Sequence, residues 1–226
     1  NQRFEISAGR SNGYAAYADR SMDGTKFLRE NVSGKAQIKH ISDLIQKLEV
    51  QLSRNTIFHT MSEAMRGNPS SYMDVTHDTN AARLLAELSF STHTSAKAGF
   101  DYSEAIHAGN MPGMGMPNLI DDSKFKNAAV FTEITHQINT DRKMIGGYRG
   151  DFWSVTDKRS AMSSDTSGQV RHELTNSAFA RLEESLKSIP HATAYIGVGR
   201  SERMPDYWEL ISNRRDGSVN MMGAMY

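Results

Sequence analysis

The sequence predicts an all-β fold: an antiparallel up-and-down transmembrane β-barrel, of which this chain supplies about nine strands. Three observations carry that expectation. Apolar and polar residues alternate with period 2 over long runs, and a helical period fits poorly. The runs are joined by connections that alternate between short polar turns and long segments rich in Gly, Pro, Ser and Met. No stretch approaches the roughly 18 apolar residues of a membrane-spanning helix. Barrel strands need no such stretch, because every second side chain faces water and average hydropathy stays low. Hydrophobic residues make up only 38% of the 226 here.

The first strand is centred on Phe4–Arg10. The second, Phe27–Lys39, carries Arg29, Asn31, Ser33, Lys35, Gln37 and Lys39 on the parity of Phe27, and Leu28, Val32, Ala36 and Ile38 on the other. The third, Ile45–His59, sets Lys47, Glu49, Gln51, Ser53 and Asn55 against Leu48, Val50 and Leu52, with Arg54 interrupting the apolar parity. Ala81–Phe90 is the fourth. In the fifth, Ser95–Tyr102, Ser95, Lys97, Gly99 and Asp101 alternate with Ala96, Ala98, Phe100 and Tyr102. Lys126–Ile138, Lys143–Val155, Ser177–Lys187 and Thr193–Met204 follow. Each strand has one face for an apolar medium and one for water. Leu48, Val50, Leu52, Ala96, Ala98 and Phe100 are therefore expected on the convex face of a barrel wall.

Short turns are expected near His40–Asp43, Ser91–Thr94, Asn139–Arg142 and Ser188–His191, and long loops near Ser62–Thr79, Gly109–Asp122 and Asp157–Arg171. Short turns on one side and long loops on the other are the rhythm of bacterial outer-membrane barrels. Tyr102, Phe152, Trp153, Tyr207 and Trp208 fall toward the loop ends of their strands, where an interfacial girdle belongs. Ordinary cross-strand aromatic packing is the alternative.

Composition closes off several functions. Twenty-six basic residues balance 26 acidic ones, so the basic footprint of a nucleic-acid binder is missing and no nucleic-acid partner is expected. There is no cysteine, hence no disulfide and no Cys-based metal site within the chain. HExxH, P-loop, GxSxG and GxGxxG signatures are absent. Glu183 and Glu184 are adjacent and would point to opposite faces of a strand. Asp121 and Asp122 suit a loop or turn. No enzyme is expected. The chain starts at Asn1 without a signal peptide and within patterned sequence, which suggests an internal piece of a mature protein.

Metal-ligand chemistry is the remaining signal, in a chain with 13 methionines and 8 histidines. His59 and Met61 are two apart, so both leave the same face of a strand. That face is the polar one of Lys47, Glu49, Gln51, Ser53 and Asn55, which points them into the lumen near the mouth. Imidazole with thioether suits copper, Cu(I) above all, and suits Mg or Ca poorly. Two ligands make half a site, so a partner element must complete it. The alternative is a hydrogen-bonded lumen histidine beside a packing methionine. Met111, Met114 and Met116 lie in a stretch that Pro112, Gly113 and Gly115 keep irregular. They could gather copper weakly, or simply fill loop packing. Met65 and Met73 precede them, and Met221, Met222 and Met225 end the chain. His77, His93, His107 and His172 have no ligand-spaced partner and are expected on loop or turn surfaces.

Ala128–Glu133 (AAVFTE), Arg142–Asp151 (RKMIGGYRGD) and Gly197–Leu210 (GVGRSERMPDYWEL) resemble the TonB-dependent receptors of the bacterial outer membrane. Tyr17–Gly24 (YADRSMDG) with Phe27, Arg29 and Glu30, then His59–Met61 (HTM), Met204–Leu210 (MPDYWEL) and Gly217–Asn220 (GSVN), resemble the copper-receptor branch. The resemblance implies a 22-stranded barrel occluded by an N-terminal plug, with substrate bound on the extracellular side and energy drawn from an inner-membrane complex through TonB. In that branch a Cys and a Met of the plug share a copper site with a His-x-Met pair of the wall, which His59 and Met61 match. Copper ion is then the transported substrate, and the partners are outer-membrane lipid and, through the plug, the TonB complex. The plug, its ligands and the TonB box are not in this sequence. Competing readings are a receptor for a metal chelate such as a siderophore, with His59 and Met61 incidental, a surface-binding barrel that transports nothing, and a soluble β-rich module whose apolar parities form a core.

Overall fold

The computed structural model describes residues 1–18, 21–112, 115–160, 164, 166–189, 191–206 and 210. Nine strands form one sheet in strict sequence order, each antiparallel to the next. They are β1 (Gln2–Ala15), β2 (Asp23–Lys39), β3 (Ile45–Glu63), β4 (Asn68–Ser89), β5 (Thr94–Met111), β6 (Met116–Gln137), β7 (Arg142–Asp157), β8 (Val170–Ser185) and β9 (Thr193–Arg200). The only other regular element among the described residues is a 3-10 turn, Ala64–Arg66.

The register collects the apolar parities into one continuous band. Val50 stands between Ala36 and Leu84, Leu84 faces Phe100, Phe100 faces Val130, and Val130 faces Gly150. Leu48, Val50, Leu52, Ala98 and Phe100 share this face as expected, and Ala96 joins them opposite Leu88. No described residue covers the band: Val50, Leu52, Leu84, Phe100, Val130 and Phe152 are all exposed. On β7 it runs over residues 144–152, about the 9–11 that a tilted strand needs to cross hydrocarbon. A soluble module would have enclosed these side chains. An uncovered apolar belt of this extent suits lipid.

The other face is polar, and several of its charges are paired. Glu49 forms ion pairs with Lys35 (3.0 Å) and Lys47 (2.8 Å), and Lys47 also reaches Glu87 (3.3 Å). Asp101 lies between Arg83 and Arg149 (both 2.7 Å), and Arg149 continues to Asp151 (2.8 Å). Most of the buried residues, including Glu49, Asn127, Ala129, Ile145, Asp151 and Thr175, belong to this face, which is crowded by its own neighbours as the inside of a curved wall must be. Phe131 and Phe179 lie across Gly99 and Gly147 of adjacent strands, where a Cβ would come within 2.4 Å and 2.3 Å of the rings.

The four short turns fall where the sequence places them, but two of the three long loops do not. Segment 62–79 is a hairpin: β3 runs to Glu63, Gly67 turns the chain with φ 90°, and β4 returns from Asn68. Segment 109–122 likewise continues β5 to Met111 and restarts as β6 at Met116. The reason is physical. Past the apolar band both faces meet water, so alternation disappears while the backbone ladder continues. Of the three, only 158–169, between β7 and β8, carries no strand among its described residues, as expected. Asp157 anchors it by accepting from Arg159 (2.7 Å), Ser164 (2.6 Å) and Thr166 (2.6 Å).

β9 stops at Arg200, short of the expected Met204. There the Glu202 carboxylate takes the Asn176 N–H (2.8 Å) in place of a ladder carbonyl. Trp153 also departs from expectation. It faces Asn127 and Glu173 on the inner parity, not the girdle, whereas Tyr102 and Phe152 are exposed on the band's outer row. Tyr207 and Trp208 lie outside the described residues.

Candidate metal centre

The apolar band has a sharp upper edge. One ladder row carries Leu52, Ala82, Tyr102, Ala128 and Phe152, and the next on the same face carries Arg54, Asn80, Glu104, Lys126 and Ser154. His59 is seven residues beyond Leu52 on β3, so it stands in the part of the wall that projects past the apolar band.

His59 pairs with Phe27 on β2 and Val75 on β4. The Phe27 ring stacks on the imidazole, with centroids 5.6 Å apart and planes 27° from parallel. Gly24 makes room for that ring, since a Cβ there would lie 2.2 Å from it. Met61 sits between Gly24 and Met73. Met73, expected in a loop, is therefore a strand residue directly opposite Met61. By strand parity it shares the inward face of Met61 and His59, and directly opposed residues hold their Cβ atoms about 4.5–5.5 Å apart.

One row deeper, His77 of β4 lies between Ile57 and His107. The two imidazole centroids are 6.3 Å apart, with planes at 52°. His107 Nδ1 is 2.8 Å and 2.9 Å from the two carboxylate oxygens of Asp122. A bulge makes this contact: His107 pairs with Ser123 and Ala108 with Asp121, leaving Asp122 as the extra residue. Both histidines were expected on loop or turn surfaces, as was His172, and the structure corrects this: all three are strand residues, His172 lying on β8 opposite Ser154. Spacing along the chain could not have found the pair, but register could. Once Ser89 faces Ser95 across the short turn, every pair down the ladder is fixed, and 77 meets 107.

Burial, reinforced by repulsion from His107, holds the His59 and His77 imidazoles below the usual histidine range, against the opposite pull of Asp74 and Asp78. Neutral imidazole keeps the ring-nitrogen lone pair that a metal needs. The hairpin tips around these residues are braced. Asp23 accepts the Tyr17 N–H (2.8 Å) and two Arg66 bonds (3.1 and 3.2 Å), while Arg66 also donates to the Tyr17 carbonyl (2.6 Å). Thr60 donates to Asp74 (2.6 Å), whose own N–H goes to Asn110 (2.8 Å). Three hairpins are thereby tied together beside His59.

Among the described residues no three His, Cys, Asp or Glu side chains converge in a metal-holding arrangement. The wall offers His59, Met61 and Met73, an incomplete set that needs donors from elsewhere. Met111 ends β5, Met116 begins β6, and the two are ladder partners. Met114, residues 207–209 of the PDYWEL stretch, the 217–220 stretch, and Met221, Met222 and Met225 lie outside the described residues. Lower on the inner wall Arg83 and Arg149 flank the Phe131 ring (5.6 and 5.8 Å). Such a group could hold an anionic chelate, but both guanidiniums are already committed to Asp101 and Asp151.

The family described as TonB dependent receptor-like, beta-barrel matches residues 1–224. Among solved structures, one named Copper transporter OprC superposes with a TM-score of 0.83 at 28% identity, over 92% of this chain and 34% of its own. The ferric-catecholate import receptor Fiu of E. coli K12, in its open form, superposes with a TM-score of 0.57 at 14% identity, over 82% of this chain and 37% of its own, which is a likeness of fold. The chain thus spans roughly a third of the length of these relatives. No curated protein matches it in sequence.

Proposed function

The chain belongs to the TonB-dependent receptor β-barrel family, and from that premise we propose that the protein it forms part of imports copper ions across the bacterial outer membrane. The carrying observation is the placement of His59, Met61 and Met73 on one inward face, beyond the lipid-facing band. One imidazole with two thioethers is a donor set for copper rather than for a hard cation. These residues hold the wall side of the site. An N-terminal plug supplies the remaining donors and the contact with TonB. A ferric-chelate receptor is the second reading, and the commitment of Arg83 and Arg149 to carboxylates weighs against it.

The test is metal selectivity. The complete receptor, purified without metal and then loaded with copper, should hold at least one tightly bound copper per molecule in the presence of excess zinc, and should show no affinity for ferric catecholates. Ferric-chelate binding without copper binding would overturn the proposal.

Met111, Met114 and Met116 are proposed as exchangeable thioether contacts that deliver copper to the mouth. Replacing all three by Leu should slow copper uptake several-fold at limiting metal and leave it unchanged at saturation. The fold should be preserved, because Leu-for-Met swaps conserve volume and cost under about 1.5 kcal/mol even in cores. Uptake equal to wild type at limiting copper would assign these residues to packing alone.

A further inference from the structure

We propose that His77 and His107 form a second copper site, one ladder row deeper than His59 and Met61, which binds the ion through imidazole nitrogen. The proposal rests on the copper reading of the barrel. It starts from register: the two residues are direct partners on β4 and β5, so their side chains leave the sheet side by side on its inner face. Their ring centroids are 6.3 Å apart. A metal–imidazole bond of about 2.0–2.1 Å puts each ring centre on the order of 3 Å from the ion. Two rings in line on one ion therefore stand about 6 Å apart, close to the separation of this pair.

Asp122 adds a second, independent sign. Its carboxylate engages His107 at Nδ1, which fixes the ring and directs Nε2 away as the ligating atom. A carboxylate behind a histidine is the usual outer-shell partner of a metal-binding imidazole, and it raises the basicity of the ligating nitrogen. The bulge that turns Asp122 inward gives up a ladder register to make this contact. Ser123, the ladder partner of His107 on β6, is fully buried, and its hydroxyl has no hydrogen-bond partner among the described residues. Buried polar atoms without partners are uncommon and call for an explanation. Here it is a polar group available to a metal-bound water.

The rows together grade the donors. Met61 and Met73 face each other outermost, His59 comes next, and His77 with His107 lies below. His59 and His77 are diagonal neighbours, since His59 faces Val75 two residues before His77. Such diagonals are about 7–8 Å apart, within reach of long side chains. An ion can therefore exchange the His59 nitrogen for that of His77 while staying coordinated. The transfer is ligand exchange, and the oxidation state of copper does not change.

The test is stoichiometry in the complete, folded receptor, titrated with Cu(II) and followed by bound metal and by electron paramagnetic resonance. Wild type should bind two ions, the first with hyperfine structure from the single His59 nitrogen and the second with that from two imidazole nitrogens. His77→Gln leaves the His107–Asp122 contact in place and should lose the second ion, with its nitrogen signature, and keep the first. His107→Gln should do the same, and His59→Ala with Met61→Ala should show the converse. A wild type that binds a single ion overturns this proposal and leaves the copper reading standing, whereas one that binds none overturns the copper reading itself. Two ions in His77→Gln, or loss of both while the barrel remains heat-modifiable on electrophoresis, would also overturn it.

Discussion

Replacing both His59 and Met61 by alanine in the complete receptor should abolish its tightest copper binding while the barrel still folds. Even outer-shell partners of metal ligands command about 10–100-fold in affinity, so the loss of two direct ligands should exceed 100-fold. The stability cost should be small. His59→Ala removes the stacking with Phe27, and an aromatic contact of this kind is worth about 0.5–1.5 kcal/mol. Neither residue belongs to the lipid-facing band that holds the wall in the membrane. Calorimetric titration of wild type and variant, with heat-modifiable electrophoresis as the check on folding, measures both quantities. Wild-type affinity in the double variant would return His59 and Met61 to the status of ordinary inner-wall residues.

Val130→Arg should destabilise the barrel in a bilayer by about 2–4 kcal/mol, the cost of a basic side chain near the middle of the lipid face. Val130 sits in the row of Phe100, Leu84 and Val50 and is exposed. Ser53→Arg is the control. Ser53 lies on the inner face between Ser33 and Ala81, where a long basic side chain meets water and polar neighbours, so its cost should stay near the ±0.5 kcal/mol of ordinary surface changes. Urea titration of the complete receptor folded into lipid vesicles separates the two. Equal costs would mean that the band meets something other than hydrocarbon.

The two substitutions also mark how far the sequence carries. Leu48, Val50 and Leu52 alternate with Lys47, Glu49 and Gln51 because lipid and water act on opposite sides of the same backbone, and that contrast is visible in one dimension. The short turns are visible for a similar reason, since each interrupts a strong alternation. Past Arg54 both sides meet water, the contrast is gone, and Ser62, Tyr72, Met73 and Thr76 resemble loop residues while belonging to hairpins. The site was half legible. His59 and Met61 are i, i+2 and announce a shared face, but Met73, His77 and His107 join them only across strands. Their proximity is a property of register, and register is set by turns some distance away in sequence. Trp153 shows the same limit at single-residue scale: one step of parity separates a girdle position from an inner-wall one.

The projecting hairpins also decide the electrical setting of any ion held at His59. Seven residues beyond Leu52, at about 3.3 Å each along a tilted strand, put the imidazole on the order of 15 Å above the hydrocarbon. A cation there keeps much of its solvation and is spared the Born cost of entering an apolar slab. Lys26 and Asp74 of the protein stand at its own height, whereas the lipid headgroups bordering the hydrocarbon are farther off than one Debye length, about 8 Å at physiological ionic strength. Affinity at this height is therefore governed by the donors and by the protein's own neighbouring charges. Lipid composition and the charge of the membrane surface should have little hold over it, so a receptor in detergent and one in a bilayer should bind the ion alike.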